Sequence, residues 1–221
     1  MATYVLIHGA GDSAFYWHLL EPELRARGHE VVTMDLPCED EDAGLRAYAD
    51  AVVNAIGSRP VGAGVVLVAQ SFGAFTAPLV CPRVPVALMV LVEGMVPLPG
   101  ERGDDWSSAT GYAGPTAEGV VETFYADVPP AVVKRVMRRS RSQADAVGRD
   151  PWPLDRWPDV PTRYLLCTED RMFPATWMRG VVRDRLGLDP DEIASGHCPA
   201  LSRPRDLAER LDTYRADLGI A

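Results

Sequence analysis

A serine stands at the centre of Ala69-Gln70-Ser71-Phe72-Gly73, where the apolar run Val65-Val66-Leu67-Val68 ends and a small-residue stretch from Ala74 begins. A small-x-Ser-x-Gly turn between a buried strand and a helix makes the backbone double back. Its flanking residues must then be small, and the serine hydroxyl is lifted above the sheet edge. Ser71 is therefore a candidate nucleophile. The pentapeptide alone is a cheap match in a chain rich in alanine and glycine, so its weight depends on partners elsewhere. A serine hydroxyl is a weak nucleophile until a base takes its proton, and that base works best when a third group fixes its tautomer.

Four histidines are available. His29, in Arg27-Gly28-His29-Glu30, reads as a surface residue of a helix-to-strand turn, and His18 as a packed or solvated residue of the first helix. His8 ends the first strand directly before Gly9 and suits bracing of the loop that follows. His197 follows Glu192-Ile193-Ala194-Ser195-Gly196 and precedes Pro199-Ala200-Leu201, so it lies on a loop at the carboxyl end of a short strand. Open α/β sheets carry their active sites along that edge, which makes His197 the expected base.

The orienting carboxylate is expected from a strand end between the serine and the histidine. Leu165-Leu166-Cys167-Thr168-Glu169-Asp170 supplies Asp170. Glu93, after Met89-Val90-Leu91-Val92, is the alternative acid, and Glu169 reads equally well as a solvent-facing neighbour. Most carboxylates are caps or surface groups, which is the competing explanation for each of these. The oxyanion of an acyl-transfer reaction needs two donors. One is expected from the N–H of Phe72 and the other from Ala10, in the loop His8-Gly9-Ala10-Gly11.

These residues need a scaffold. Extended apolar runs alternate with helical patterns, as in a parallel α/β sheet covered on both faces. Strands are expected at Tyr4–Ile7, Val31–Met34, Val65–Ala69, Ala87–Val92, Arg163–Cys167 and Glu192–Ala194. Helices are expected at Tyr16–Arg27, Leu45–Ile56, Phe72–Val80, Ala175–Leu186 and Pro199–Leu218. Between Pro97 and Pro161 the alternation breaks, and two helical patterns, Thr116–Ala126 and Pro130–Val147, follow one another without a strand. That stretch reads as an insertion roofing the sheet edge, at about 97–160 of a single domain spanning 1–221. Its second helix carries Lys134, Arg135, Arg138, Arg139 and Arg141, first of all a solvated face, with attraction of an acidic substrate or carrier as the alternative.

With 221 residues, 47% of them hydrophobic, the chain has the size of one domain with a substantial core. A formal charge of −9 argues against nucleic acid as a partner, and no run is long enough to cross a membrane. The start, Met1-Ala2-Thr3-Tyr4, lacks a leader pattern and sets the expectation of a cytoplasmic protein. The cysteines Cys38, Cys81, Cys167 and Cys198 are scattered, without ligand spacing, so neither disulfide nor metal is expected. Cys198, beside His197, reads as a small pocket-lining residue. A homodimer is left open.

His8-Gly9, the Ser71 turn, Asp170 and Gly196-His197, in that order, resemble the α/β-hydrolase superfamily. More narrowly, His8-Gly9-Ala10 with Trp17, then Gly28-His29-Glu30-Val31-Val32 and Asp35-Leu36, are similar to the plant methylesterase and hydroxynitrile lyase group and its bacterial esterase relatives. The resemblance covers almost the whole chain and is weakest in the insertion. It implies an α/β-hydrolase fold, a mostly parallel sheet of about six strands flanked by helices with a helical cap. It also implies cofactor-free cleavage of a small carboxylic ester through an acyl-enzyme, with Ser71, His197 and Asp170 as triad and Ala10 and Phe72 as oxyanion donors. Ala69 replaces the first glycine of the turn, and the leading antiparallel strands of larger members are missing. The lyases place a lysine after the catalytic histidine; here Cys198 follows, which disfavours cyanohydrin cleavage. Two other functions compete. Gly9-Ala10-Gly11-Asp12-Ser13-Ala14 fits G-x-G-x-x-A with Asp35 ending the next strand, as in an NAD(P)-binding oxidoreductase. The same hydrolase scaffold can also serve as a slow or non-catalytic small-ligand binder.

Overall fold

A computed structural model describes residues 1–57 and 64–220. Six strands form one sheet in the order β2-β1-β3-β4-β5-β6, and every neighbouring pair is parallel. They are β1 Thr3–Ile7, β2 Glu30–Thr33, β3 Val65–Gln70, β4 Val86–Val92, β5 Thr162–Cys167 and β6 Asp191–Ile193. Each expected strand is present within a residue or so of its expected ends.

The strands are apolar throughout because both faces are covered. Side chains alternate across a strand, so Val5, Ile7, Leu67, Ala69, Met89, Leu91, Tyr164 and Leu166 enter one core. Helices α2 (Leu45–Ile56), α3 (Gly73–Val80) and α8 (Ala175–Leu186) pack there. Tyr4, Leu6, Val66, Val68, Val90 and Leu165 enter the opposite core with α1 (Leu20–Ala26), α9 (Pro199–Ser202) and α10 (Pro204–Asp217). Leu207 and Leu211 of α10 are fully buried there, each contributing about 2 kcal/mol of transfer free energy.

Several helices differ from expectation. The span expected as one helix from Tyr16 to Arg27 is a 3-10 turn at Ala14–Trp17 followed by α1. The expected last helix is divided into α9 and α10 at Arg203, which has a non-helical backbone, φ −134° and ψ 47°, and precedes Pro204; the proline ring disfavours a helical residue before it. Between β4 and β5 lie only short helices: α4 (Trp106–Ala109), α5 (Val120–Phe124), α6 (Pro130–Met137) and α7 (Ala146–Arg149). Left-handed Gly119, φ 85°, delays α5. Past Met137 the chain leaves helix to bond the β1 loop: Arg141 N–H donates to Gly11 O at 2.8 Å, and Gly11 N–H donates to Gln143 Oε1 at 3.0 Å. Tertiary pairing overrides the helical pattern there. Among the described residues no helix is long and apolar enough to cross a membrane.

Candidate active site

Ser71 leaves β3 in the left-handed region, with φ 50°. Non-glycine residues rarely adopt that conformation, and here the surroundings hold it. Ser71 N–H donates to Val92 O at 3.1 Å, and its carbonyl accepts from Met95 N–H at 3.0 Å and Ala74 N–H at 3.1 Å. Gly73 is required by the close approach of the first strand: a Cβ on it would lie 2.8 Å from His8 O and 3.0 Å from Ile7 O. Ala69, the last residue but one of β3, is fully buried in the core, which accommodates its methyl group at the first small position of the turn.

His197 follows β6 and is buried. Its Nδ1–H donates to Asp170 Oδ2 at 2.7 Å, which leaves Nε2 as the proton-accepting nitrogen. Asp170 is held in turn by Met172 N–H at 2.7 Å and Phe173 N–H at 3.1 Å, both donating to Oδ1. The imidazole has the rings of Phe124 and Phe173 edge-on, each with its centroid at 5.3 Å. Ser71, His197, Ala10 and Phe72 line one cavity of about 340 Å³, within the range of small-molecule sites. Neither Ser71 Oγ nor His197 Nε2 has a hydrogen-bond partner among the described residues. Such contacts commonly tighten only when substrate binds. The N–H groups of Ala10 and Phe72 are likewise without an acceptor among the described residues.

The alternative acid is placed differently. Glu93 is fully buried with φ 47°; its Oε1 accepts from Cys167 N–H, and its Oε2 has no partner. Burial, reinforced by the negative charge of Asp170, raises its carboxyl well above the usual carboxylate range. Glu93 does not hydrogen-bond any histidine among the described residues, and Asp170 does. Glu169 is exposed.

The remaining histidines divide. His8 is fully buried; its Nδ1–H donates to Gly9 O at 2.8 Å and Nε2 accepts from Leu36 N–H at 3.0 Å. Burial lowers its pKa to about 4, so it is a neutral brace of the β1 loop. His18 stacks on Phe15 at 4.0 Å. His29 is not a surface residue: it is 7% exposed, its Nδ1 accepts from Ala2 N–H at 3.3 Å and its Nε2 meets Asp212 at 3.1 Å. Nothing in the residues of its turn hints that α10 packs over it.

The glycine loop has no free amides for a pyrophosphate at two of its positions. Ala14 N–H donates to Asp35 Oδ1 at 2.7 Å and Gly11 N–H to Gln143, so the carboxylate that would meet a ribose is itself engaged with the loop. Only a 3-10 turn follows, where dinucleotide binding uses the N-terminus of a longer helix.

Several cavity residues are beyond sequence reasoning. Tyr125, Met95, Met172, Phe173 and Asp12 line it beside Tyr16, Phe72 and Phe124. Trp106, Trp152 and Trp177 donate Nε1–H to Val96 O, Phe75 O and Thr110 O and pack away from it. Asp127 is a further positioning residue: its Oδ2 accepts from Gly196 N–H at 2.9 Å and Ser195 Oγ at 3.1 Å, tying the β4–β5 segment to the loop of His197. Cys198 is buried on the cavity wall, and burial pushes its thiol well above the ordinary range. It is an inert neighbour at neutral pH. No group of histidine, cysteine or carboxylate side chains suited to a metal ion occurs among the described residues.

A family model described as the alpha/beta hydrolase family matches residues 4–210. Polyneuridine aldehyde esterase from Rauvolfia serpentina is 25% identical, over 94% of this chain and 93% of its own length. Norfluorocurarine synthase 1 from a Strychnos species is 22% identical over 94% of this chain and 93% of its own length. The crystal structure of polyneuridine aldehyde esterase superposes with a TM-score of 0.80 at 21% identity, covering 97% of this chain and 99% of that one.

Proposed function

This chain belongs to the alpha/beta hydrolase family, and from that premise we propose that it is a serine hydrolase cleaving small carboxylic esters through an acyl-enzyme. The observation that carries this is the directed pair His197–Asp170, at 2.7 Å, which turns an unprotonated Nε2 toward the cavity that Ser71 also lines. The esterase and the synthase named above share the scaffold, so the chemistry rests on these residues and not on the fold.

Ser71 Oγ attacks the ester carbonyl as His197 Nε2 takes its proton, and Asp170 stabilises the imidazolium that forms. The new oxyanion lies between the N–H groups of Ala10 and Phe72, which the protein leaves unpaired for it. His197 then hands its proton to the leaving alcohol, and a water activated by the same nitrogen clears the acyl group. The chain works as one domain whose 97–160 insertion roofs the cavity: Phe124, Tyr125, Gln143, Ala144, Val147 and Gly148 are among its wall residues, which set the acyl size accepted. The reaction needs no cofactor.

Intact mass after reaction with a fluorophosphonate, beside turnover of short p-nitrophenyl esters, tests this. One adduct is expected on the native protein and none on Ser71→Ala, with turnover falling by roughly 10⁴-fold or more. Folded native protein that takes no label and turns over no ester would overturn the proposal.

A further inference from the structure

Asp12 lies on the wall of the catalytic cavity and has no role in the triad. It stands two residues after the oxyanion donor Ala10, and it lines both the cavity and a side opening shared with Gly11, Phe124, Tyr125 and Arg141. Its Oδ1 accepts from Ser13 N–H at 2.8 Å. Its other oxygen has no partner, and no cation pairs with it among the described residues. Beside it on the cavity wall is Tyr16, 1% exposed, whose hydroxyl is also unpartnered. Asp104 and Asp145 line the same cavity, and no lysine or arginine does among the described residues. A carboxylate without a counter-ion in a half-buried site is a charge that a substrate can complement or oppose.

We propose that Asp12 is a specificity-determining residue, which makes this cavity select esters bearing a neutral or cationic group near the reacting carbonyl over esters bearing an anionic one. The proposal rests on the hydrolase reading above and names its substrate class. The physical basis is direct. A substrate anion would add a like charge to Asp12 in a place where water is partly excluded, whereas a substrate ammonium group supplies the missing counter-ion.

Asp12 also carries its own titration. Burial, with a further push from Asp35 at the end of β2, raises its pKa to about 6. The other titratable groups that face it are Tyr16, Tyr125 from α5's end, Cys198 and Cys38, each raised by burial and neutral near pH 7, and across the side opening Arg141, whose guanidinium is paired with Glu39. Charge selection should therefore be full above pH 7 and fade as the pH falls through about 6.

The test measures kcat/KM from pH 5 to 8 for matched esters carrying a trimethylammonium, a tert-butyl or a sulfonate group. One series places that group on the acyl side, the other on the alcohol side, and each value is divided by that of the neutral tert-butyl member. In at least one series the native protein should prefer the cationic over the anionic member by about tenfold above pH 7. That preference should decline toward pH 5, while any pH dependence of the chemical step common to all three esters cancels in the ratio. Asp12→Asn should hold the ratio near one at every pH. A native ratio that is flat and near unity in both series overturns the proposal without recourse to any variant. A ratio that survives Asp12→Asn, including one abolished only by Asp104→Asn or Asp145→Asn, also overturns it. Loss of Ser71-dependent turnover of the neutral ester would overturn the hydrolase reading and this proposal together. Turnover of that ester with no charge preference would overturn this proposal alone.

Discussion

Glu93 follows β4 and Asp170 follows β5, so two carboxylic side chains lie at the ends of adjacent strands beneath one cavity, in opposite environments. Asp170 accepts three hydrogen bonds, two from backbone N–H groups and one from His197. That donor set suits an ionised, acceptor-only group. Glu93 has one backbone donor, a second oxygen with no partner and full burial, and it sits in the field of Asp170. Two like charges in a poorly solvated site cannot both persist, and the proton goes to the group with fewer donors. Residue type and position at a strand end therefore leave the role open, and the donor count distinguishes the two.

Substitution at Asp170 is expected to have the largest effect. Asp170→Asn would present an amide to His197 Nδ1 and favour the tautomer that points a proton, not a lone pair, into the cavity. Turnover of a neutral ester should fall by roughly 10³- to 10⁴-fold while the fold is retained. A loss of only a few-fold would mean that another carboxylate orients the histidine. The sharper version follows from the same pair. If Glu93 is neutral and remote from the imidazole, adding Glu93→Gln to Asp170→Asn should cost less than about threefold further, because only residues acting on one group couple strongly. A second large drop would show that Glu93 takes over when Asp170 is lost.

Most of this arrangement is legible in the amino-acid sequence. The strand ends are, because buried parallel strands are continuous apolar runs and the residues that stop them, Ser71, Glu93, Asp170 and the Gly196-His197 pair, are conspicuous by contrast. Choosing Asp170 over Glu93 rests on chain order and likeness; the two N–H donors at Met172 and Phe173 that distinguish them arise from a local turn without a sequence signature. The segment from 97 to 160 is the least legible. Its true helices are short because left-handed Gly119 and the bonds between Gly11 and both Arg141 and Gln143 decide where the chain bends, and those bonds are long-range contacts. Asp12 and Asp127 escape a sequence reading for the same reason: an aspartate in a loop looks like any other until the surface it faces is known. His29, which reads as exposed, is buried by α10, nearly the full chain length away.

The smallest effect is the most specific to the comparison, and it is seen in stability, not in turnover. In the unfolded chain Glu93 loses its proton near the ordinary glutamate value of about 4.3. Folded, its raised pKa keeps the proton bound at higher pH. Above that ordinary value the native state therefore holds one more proton than the unfolded state, and stability must fall as the pH rises, by up to about 1.4 kcal/mol per pH unit, until the folded pKa is passed. Glutamine keeps the shape and the acceptor for Cys167 N–H but does not titrate. Urea unfolding of the native protein and of Glu93→Gln, run in parallel from pH 4 to 8, should show the native protein losing stability relative to the variant as the pH rises, because every other titrating group cancels in the difference. The slope should lessen when Asp170→Asn is present in both, since part of the upward push on Glu93 is the charge of its neighbour. A difference that is flat with pH would mean that Glu93 is ionised in the folded protein, and the division of labour between the two strand ends would have to be redrawn.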